Sequence, residues 1–288
     1  MLQKLIGILL LVPGIAFGCM IVMRAVREKE AFGQETGNLK IISLLEFAFY
    51  FIATLGLSDF LMQTLMIKGL RLTDDKKIPG TLIAASVTPG AVIACFLLQA
   101  KDPVGMAMLL LCTAAIIIGG LIGARIVGKI DGSRIRPIMA GLLIVSMAAL
   151  ILKMIVSESA TGTVTVLTGG KLILAVLFAF LWGVINMLGI PMKAAGTAVF
   201  LLLGLSPVAA LTMVLVMGCA GPMGGSFEVY RQRNYHQKTA FCSVIFGSAG
   251  AAVGSLFALS VDPLLLNILM LAMMLIAIIS MLKPPKKK

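Results

Sequence analysis

Charged and aromatic side chains are scarce in this chain of 288 residues: 12% are charged, 6% are aromatic, and there is one His and one Trp. A water-soluble domain carries about 25% charged residues, so a soluble fold is excluded. The lone His236 falls in a loop, and no paired carboxylates or metal-ligand cluster appear. No catalytic residue, cofactor or metal site is therefore predicted, and the chain is not expected to be an enzyme.

Paired cysteines are also missing, since the five cysteines are scattered through apolar segments without a C-x-x-C spacing. Neither a disulfide framework nor a metal site is indicated. The formal net charge of +12 raises the alternative of nucleic-acid binding. However, Lys and Arg lie in short clusters between apolar runs, a pattern that signals membrane topology, and no nucleic-acid partner is expected.

Long apolar runs make up most of the sequence, of which 60% is hydrophobic. A helix crosses the hydrocarbon layer with about 20 residues, and these runs leave no room for a soluble domain. The sequence predicts an all-α polytopic membrane protein with a single transmembrane domain over residues 1–288. The first run is interpreted as an uncleaved span, because Pro13 interrupts it and no cleavage site is clear. The nine segments are roughly 2–23, 41–67, 78–99, 104–124, 137–156, 172–202, 207–229, 240–260 and 263–282.

Segments 41–67 and 172–202 are longer than one crossing needs, and LGLSD (55–59) and LGIPM (188–192) interrupt them. Each is either one straight helix or two half-helices, and the excess of Lys and Arg in cytoplasmic loops separates these alternatives. If all nine segments cross the membrane, Lys and Arg show only a weak excess on one side. If both segments fold back as hairpins, nineteen of the 24 basic residues lie on one side. We therefore predict seven transmembrane helices plus two re-entrant broken-helix hairpins in the cell (inner) membrane, with the N-terminus outside and the C-terminus cytoplasmic.

The segment order occurs twice. Residues 40–156 form repeat 1 and residues 171–283 form repeat 2, while residues 1–39 form an extra N-terminal helix and a cytoplasmic loop. Each copy contains three crossings, an odd number, so the two repeats are inverted and their hairpin tips meet near the midplane, as in alternating-access carriers. The matching landmarks are Leu55-Gly56 with Leu188-Gly189 and Pro89 with Pro222, offset by 133, and the Gly-x-x-x-Gly pairs 119/123 and 250/254, offset by 131.

The two breaks have the chemistry of helix starts. Ser58 and Asp59 are good capping residues, and Pro191 suits a first helical turn. Half-helices that begin there would aim N–H groups and a positive dipole end at the midplane, which favours an anion. Gly56 and Gly189 give the backbone freedom to turn, although a plain loop between two short helices is the alternative. Uncharged polar residues placed to face the tips are Gln63, Thr64, Ser86, Thr88, Asn186 and Thr197.

Lys193 is the only basic residue outside the loops, and a charge at mid-bilayer costs roughly 2.5–3.5 kcal/mol. Either an anionic substrate or an ion pair with Asp59, at nearly the symmetric position, would offset this cost. Asp59 is also the proton-coupling candidate, with helix capping as the alternative. Glu46 and Glu228 lie nearer the cytoplasmic ends of their segments and are interpreted as solvated or paired.

The succession of a broken hairpin, a short turn, a Pro-containing helix and a basic loop resembles the TauE/SafE sulfite exporter family, the toluene sulfonate uptake permease group. The resemblance spans about residues 40–283. It is clearest in MLGIPMKAAGTAVFLLLGLSPVAALTMVLVMGCAGPMGG (187–225) and IGARIVGKIDGSRIRPIMAGLLIV (122–145). It implies two related four-segment halves and transport of small sulfur-containing or organic anions with proton coupling. The glycine-rich tip of the family is reduced here to Gly56 and Gly189, which leaves the particular anion open.

Broken hairpins, inverted repeats and Lys193 together favour a secondary transporter that moves a small anion, such as sulfite or a sulfonate, by alternating access. An anion channel of the same fold is the alternative, and an intramembrane enzyme or a scaffold protein is less favoured. The expected partners are the anionic substrate, the lipid bilayer and a coupling proton, with a homo-oligomer left open. The expected substrate-binding residues are Gly56, Ser58, Asp59, Gln63, Ser86, Thr88, Asn186, Gly189, Lys193 and Thr197.

Overall fold

The computed structural model describes residues 2–55, 57–100, 104–159, 164–191, 193–256 and 263–282. These residues are mostly helical and contain no β-strand, so the all-α prediction is confirmed for them. A π-helical turn at Ser243–Gly247 joins the helices Gln237–Cys242 and Ser248–Leu256 into one continuous helix. The helices are α1 (Leu2–Arg27), α2 (Lys29–Gln34), α3 (Leu39–Thr54), α4 (Asp59–Gly69), α5 (Ile78–Ala100), α6 (Met106–Val127), α7 (Gly132–Ser159), α8 (Gly169–Asn186), α9 (Lys193–Leu202), α10 (Pro207–Gln232), α11 (Gln237–Cys242), α12 (Ser248–Leu256) and α13 (Pro263–Leu282).

Seven helices within the described residues are long and apolar enough to cross a membrane. Six coincide with predicted crossings. The seventh is α8, which the sequence predicts to be one arm of a hairpin, whereas α13 qualifies only as a shorter apolar helix over Ile268–Leu282. Large apolar side chains such as Val12, Leu44 and Leu202 are more than 60% exposed on the outer surface, where lipid would cover them. This is the architecture of a multi-pass membrane protein.

The helices are interrupted at both places where the sequence predicts a break. Helix α3 ends at Thr54 and α4 begins at Asp59. Helix α8 ends at Asn186, and α9 begins at Lys193. Gly189 lies inside the second break with a φ of +78°, which a residue with a side chain rarely adopts. A glycine is therefore required at this turn.

The chain reverses direction at each break. Gln63 on α4 reaches back to Glu46 on α3, with 3.3 Å between Nε2 and Oε2. Across the second break, the ring centroids of Phe178 on α8 and Phe200 on α9 lie 6.1 Å apart. A helix that simply continued through the break would separate each of these pairs by more than 20 Å, because an α-helix rises about 1.5 Å per residue. Each break therefore folds two antiparallel arms together.

The loops that carry the Lys and Arg clusters meet at one end of the bundle, which we call the basic end. They are residues 24–38, 68–77, 125–136 and 231–238. These four loops carry fourteen of the Lys and Arg residues of the chain. The loops are joined by Gly37 against Leu72, by Asn234 Nδ2 donating to the Lys76 carbonyl at 3.3 Å, by Gly128 against Gln232, and by Asp75, which pairs with both Lys68 and Arg136.

Other segments meet at the opposite end. The Val164 carbonyl accepts a hydrogen bond from the amide of Ser206 at 2.8 Å, and the Thr165 carbonyl accepts one from Gly105 at 3.2 Å. These bonds link the segment before α8 to the starts of α6 and α10. The described part of this end is thus held by backbone hydrogen bonds.

Equivalent residues of the two repeats make equivalent contacts, each with the opposite repeat. A Cβ atom built on Gly119 of α6 would lie 2.1 Å from the carbonyl oxygen of Phe180, and one on Gly250 of α12 would lie 2.1 Å from that of Phe47. Phe47 and Phe180 are 133 residues apart, and Gly119 and Gly250 are 131 apart, the offsets seen in the sequence. These glycines allow close helix packing, and the contacts between the two repeats come in equivalent pairs. Gly123 against Val184 and Gly254 against Phe51 repeat the relationship.

The helices fall into two groups. One group contains α7 and α13, which pack on each other and on the second arms of the two breaks, α9 and α4. The other contains α1, α3, α5, α6, α8, α10 and the continuous helix α11–α12, which pack mainly among themselves. Helix α5 is the centre of the second group, because the span Asp75–Phe96 is 94% buried.

Candidate functional site

A cavity of about 50 Å³ lies where the two breaks approach α5 and α10. Gly90 on its wall is 12 residues beyond the start of α5, hence about 18 Å along the helix, near the middle of a hydrocarbon core about 30 Å thick. Space of this size holds a few water molecules or one solute of several non-hydrogen atoms. The polar residues of the wall are Tyr50, Ser58, Asp59, Ser86, Asn186 and Cys219.

The wall is built from pairs of equivalent positions. Ala53 and Asn186, at the ends of the two first arms, are 133 residues apart, and both line the cavity. Each repeat therefore contributes equivalent positions to the wall of one cavity. The further pairs at the same offset are Ser58 with Pro191 and Ser86 with Cys219.

The N-terminus of α4 opens onto the cavity. Ser58 is the residue before the helix and is 2% exposed, but among the described residues its hydroxyl makes no capping hydrogen bond. The expected side-chain cap is therefore not formed. Asp59, the first residue of α4, is half-buried and accepts a hydrogen bond from the Tyr50 hydroxyl at 3.3 Å. A dipole end and a carboxylate thus face the same space.

Asn186 is the last residue of α8 and is almost completely buried. Its Nδ2 donates to the Ile190 carbonyl at 3.1 Å, which closes the second break. Its Oδ1, next to Gly221 of α10, has no hydrogen-bond donor among the described residues. Because the NH₂ group is held by the Ile190 carbonyl, this side chain offers an acceptor oxygen to a solute or a water molecule.

The structure brings four of the ten predicted substrate-binding residues to the cavity wall, namely Ser58, Asp59, Ser86 and Asn186. Ser86 donates to the Ile83 carbonyl of its own helix at 3.1 Å, so its oxygen keeps free acceptor capacity.

The other predicted residues lie elsewhere. Gln63 is buried behind the wall and donates to the Tyr50 hydroxyl at 2.9 Å. Thr88 faces the opposite side of α5 and donates to the Gly14 carbonyl of α1 at 3.0 Å. Gly189 packs on Leu82 and Met139, and Thr197 is buried in α9. Gly56 and the side chain of Lys193 lie outside the described residues.

Two buried polar residues were missed by the sequence reasoning. Tyr50 lines the cavity, and its single O–H is shared between the Ala85 carbonyl at 3.1 Å and Asp59 Oδ2 at 3.3 Å. Glu46 was expected to be solvated or paired; it is completely buried and pairs with Gln63. The spacing of four between Glu46 and Tyr50, on an otherwise apolar helix, is the signal that could have indicated a shared polar face.

No group of three or more His, Cys, Asp or Glu that could hold a metal ion occurs in the part of the chain that the structure describes. Comparison with models of known protein families, with curated proteins and with solved structures found no match. The expected membership of the TauE/SafE family therefore rests on the sequence resemblance, and the function is argued from the site itself.

Proposed function

We propose that this protein is a secondary transporter of the TauE/SafE type. It carries a small anion, such as sulfite, a sulfonate or a related organic anion, across the cell membrane by alternating access with proton coupling. The observation that carries the proposal is the cavity near mid-membrane depth, enclosed by two helix breaks whose wall residues pair across the repeats. Carriers built from inverted repeats place their sites at such discontinuous helices.

The proposed topology has seven crossings and two re-entrant hairpins, with the basic end in the cytoplasm. The antiparallel arms at both breaks and the contact of Gly37 with Leu72 support it, because both ends of the α3–α4 unit are then on one side. An excess of Lys and Arg marks cytoplasmic loops. The proposed orientation therefore has the N-terminus outside and the C-terminus inside.

The division of the helices into two groups supports alternating access. Each break joins a first arm in one group, α3 or α8, to a second arm packed against α7 or α13 in the other. Relative rotation of the two groups changes the backbone angles at the breaks, which act as hinges. The cavity wall lies at both hinges, so rotation exposes the site to one membrane face or to the other.

Anion binding is supported by the α4 N-terminus and by the Ser58 hydroxyl on the cavity wall. The Ser86 hydroxyl and the Asn186 amide already donate to the Ile83 and Ile190 carbonyls. The carboxylate of Asp59 opposes anion binding. Two negative charges about 5 Å apart repel by about 3 kcal/mol at an effective dielectric constant near 20. An anion therefore enters most easily when Asp59 is protonated, which couples anion binding to proton binding. We also propose that Lys193, with which α9 begins, supplies a positive charge for the anion.

The test is anion flux in proteoliposomes that contain the purified chain, with sulfite, sulfoacetate, thiosulfate and short carboxylates as substrates. We expect one of these anions to accumulate with an imposed proton gradient and to show counterflow against the same anion preloaded inside. Protein-free liposomes are the control. Flux that ignores both the preloaded anion and the gradient would assign the channel alternative, and no flux of any anion would contradict the proposal.

A further inference from the structure

A row of polar side chains runs along α3 from the basic end to the cavity. Ser43, Glu46 and Tyr50 lie on one face of the helix, and all three are buried. Glu46 is about 10 Å along the axis from the first residue of α3, and Tyr50 is about 6 Å further, where the row reaches the cavity wall. The other buried residues of α3 are the apolar Ile42 and Ala53, so the buried polar groups of this helix are confined to the row.

Hydrogen bonds join this row to the second arm of the hairpin. The Nε2 group of Gln63 donates to Glu46 Oε2 at 3.3 Å and to the Tyr50 hydroxyl at 2.9 Å. The Tyr50 hydroxyl in turn donates to Asp59 Oδ2 at 3.3 Å. Gln63 and Tyr50 thus connect the buried Glu46 carboxyl to the Asp59 carboxyl, which faces the cavity.

Two oxygen atoms of this network have no hydrogen-bond donor among the described residues, Glu46 Oε1 and Gln63 Oε1. Glu46 is completely buried, and no described Lys or Arg lies within ion-pair distance of it. An ionised carboxylate in such surroundings costs several kcal/mol unless it is paired. A bound proton removes the charge and turns one carboxyl oxygen of Glu46 into an O–H donor.

The other titratable groups near Glu46 do not replace that proton. Tyr50 on α3, Asp59 on α4 and Cys242 on α11 face the same region, and none of them is cationic at neutral pH. Lys238 of α11 binds the Glu35 carbonyl at the basic end instead. Helix α12 contains no titratable residue, and the nearby groups of α5 and of the π-helical turn are the Ala85 carbonyl and the Ser243 hydroxyl.

The second repeat shows that the fold does not need this network. At the offset of 133 residues, the counterparts of Glu46, Tyr50 and Gln63 are Ala179, Gly183 and Gly196. These three residues are buried in the equivalent helices, α8 and α9. The same packing position is therefore filled by small apolar residues in one repeat and by hydrogen-bonded polar residues in the other, which indicates a role other than packing.

We propose that Glu46 is a proton-binding site, a neutral carboxylic acid linked through Gln63 and Tyr50 to Asp59 in the cavity. On release, the O–H bond of the Glu46 carboxyl breaks, its electron pair stays on the oxygen, and the proton passes to water at the basic end along the side of α3 that carries Ser43. The negative charge left on Glu46 disfavours a second charge on Asp59. Proton binding stands independently of the proposed function, whereas its use in coupling rests on that function.

Infrared difference spectroscopy of the purified full-length chain in lipid tests proton binding directly. We expect the carbonyl band of a protonated carboxylic acid at neutral pH in the wild type and its loss in Glu46→Gln. The band should persist in Asp59→Asn and in the matched control Glu228→Gln, which changes a carboxyl at the basic end. A wild type without the band, or a band unchanged in Glu46→Gln, would overturn the proposal.

A second experiment, with Na⁺, distinguishes a bound proton from a metal cation bound to the same oxygens. Thermal unfolding is followed with increasing Na⁺, using choline as the reference cation. We expect no Na⁺-dependent rise in the unfolding temperature. A rise that Glu46→Gln abolishes would assign a cation site and overturn the proton site. Glu46→Ala, which installs the residue of the other repeat, should remain folded and monodisperse; if it unfolds, the carboxyl is structural.

Transport measurements test the coupling step. In Glu46→Gln we expect counterflow to persist, while accumulation driven by a proton gradient falls to the equilibrium level. Accumulation equal to that of the wild type would remove Glu46 from coupling. If the wild type transports no anion at all, the proposed function fails, and the infrared result still decides whether Glu46 binds a proton.

Discussion

Gly250 lies directly against the backbone of Phe47: a Cβ atom added to this glycine would be 2.1 Å from the phenylalanine carbonyl oxygen. Backbone oxygens cannot move aside as a flexible side chain can. The continuous helix α11–α12 and α3 are therefore in contact through their backbones, and the position requires glycine. Gly119 and Phe180 make the equivalent contact, again between the two repeats.

Substitution of Gly250 by Val should destabilise the protein. The added side chain forces α12 away from α3, and overpacking of this kind costs about 1–3 kcal/mol or more. Thermal unfolding in detergent, monitored together with size-exclusion chromatography, measures the effect. Gly119→Val should behave alike. Gly141→Val is the matched control, because no atom lies within 4 Å of a Cβ at this position on α7. Equal unfolding temperatures for the three variants would contradict the packing described here.

The basic loops should be accessible from one membrane face. Cysteines placed singly at Lys76, Arg134 and Arg231 are expected to react with an impermeant maleimide from the same side, because these loops meet at one end. A cysteine at Thr168, beside the opposite end, should react only from the other side. The parent protein gives the background of the native cysteines. Labelling of Lys76→Cys and Arg134→Cys from opposite faces would exclude the proposed topology.

Asp59 and Lys193 should have different effects on transport. Asp59→Asn removes the charge that repels an anion, so we expect anion exchange to continue while accumulation no longer follows the proton gradient. Lys193→Ala removes a positive charge from the second tip and should weaken anion affinity at least tenfold, which corresponds to about 1.4 kcal/mol. Flux assays with Glu228→Gln as the unaffected reference measure both. Wild-type kinetics in both variants would remove these residues from the site while sparing the topology.

Stability should fall in mild acid because of His236, which lies between α10 and α11. Burial lowers the pKa of His236, and the Glu35 carboxylate, 3.4 Å from Nε2, opposes this shift only in part. In the neutral form its Nδ1 accepts a hydrogen bond from the Thr239 amide and so caps α11. The unfolded chain takes up the proton near pH 6.5, whereas the folded chain does so only at lower pH, so stability decreases as pH falls below about 6.5.

The measurement is thermal unfolding at about pH 7.5 and about pH 5.5. His236→Asn keeps a capping side chain but does not titrate. We expect the wild type to lose more stability than this variant between the two values. An equal loss in both proteins would show that other groups dominate the acid response.

Much of the fold could be predicted from local patterns. Apolar runs of membrane-spanning length gave the helices, and Gly189, which needs a positive φ, marked one break. The repeat was visible because close helix packing fixes glycine at Gly119 and Gly250, so that the offset survives between otherwise different segments. Positions where the backbone geometry requires glycine can therefore be recognised in the sequence.

The site was harder to predict, because helical phase decides which cavity a polar side chain meets. Thr88 and Ser86 are only two residues apart on α5, yet one bonds to α1 and the other lines the cavity. Glu46 looked peripheral when only its distance along the segment was considered. Its partner Gln63 comes from the other arm of the hairpin, and that contact exists only after the chain reverses.

Asp75 stands just before the central helix α5 and pairs with Lys68 of α4 and Arg136 of α7, both in the peripheral part of the bundle. Partly exposed ion pairs weaken as salt screens them, whereas the backbone bonds at the other end do not depend on charge. Salt should therefore weaken the contacts of Asp75 with α4 and α7 at the basic end. Under the proposed alternating access, the electrolyte that bathes this end would tune how readily the two groups of helices separate there.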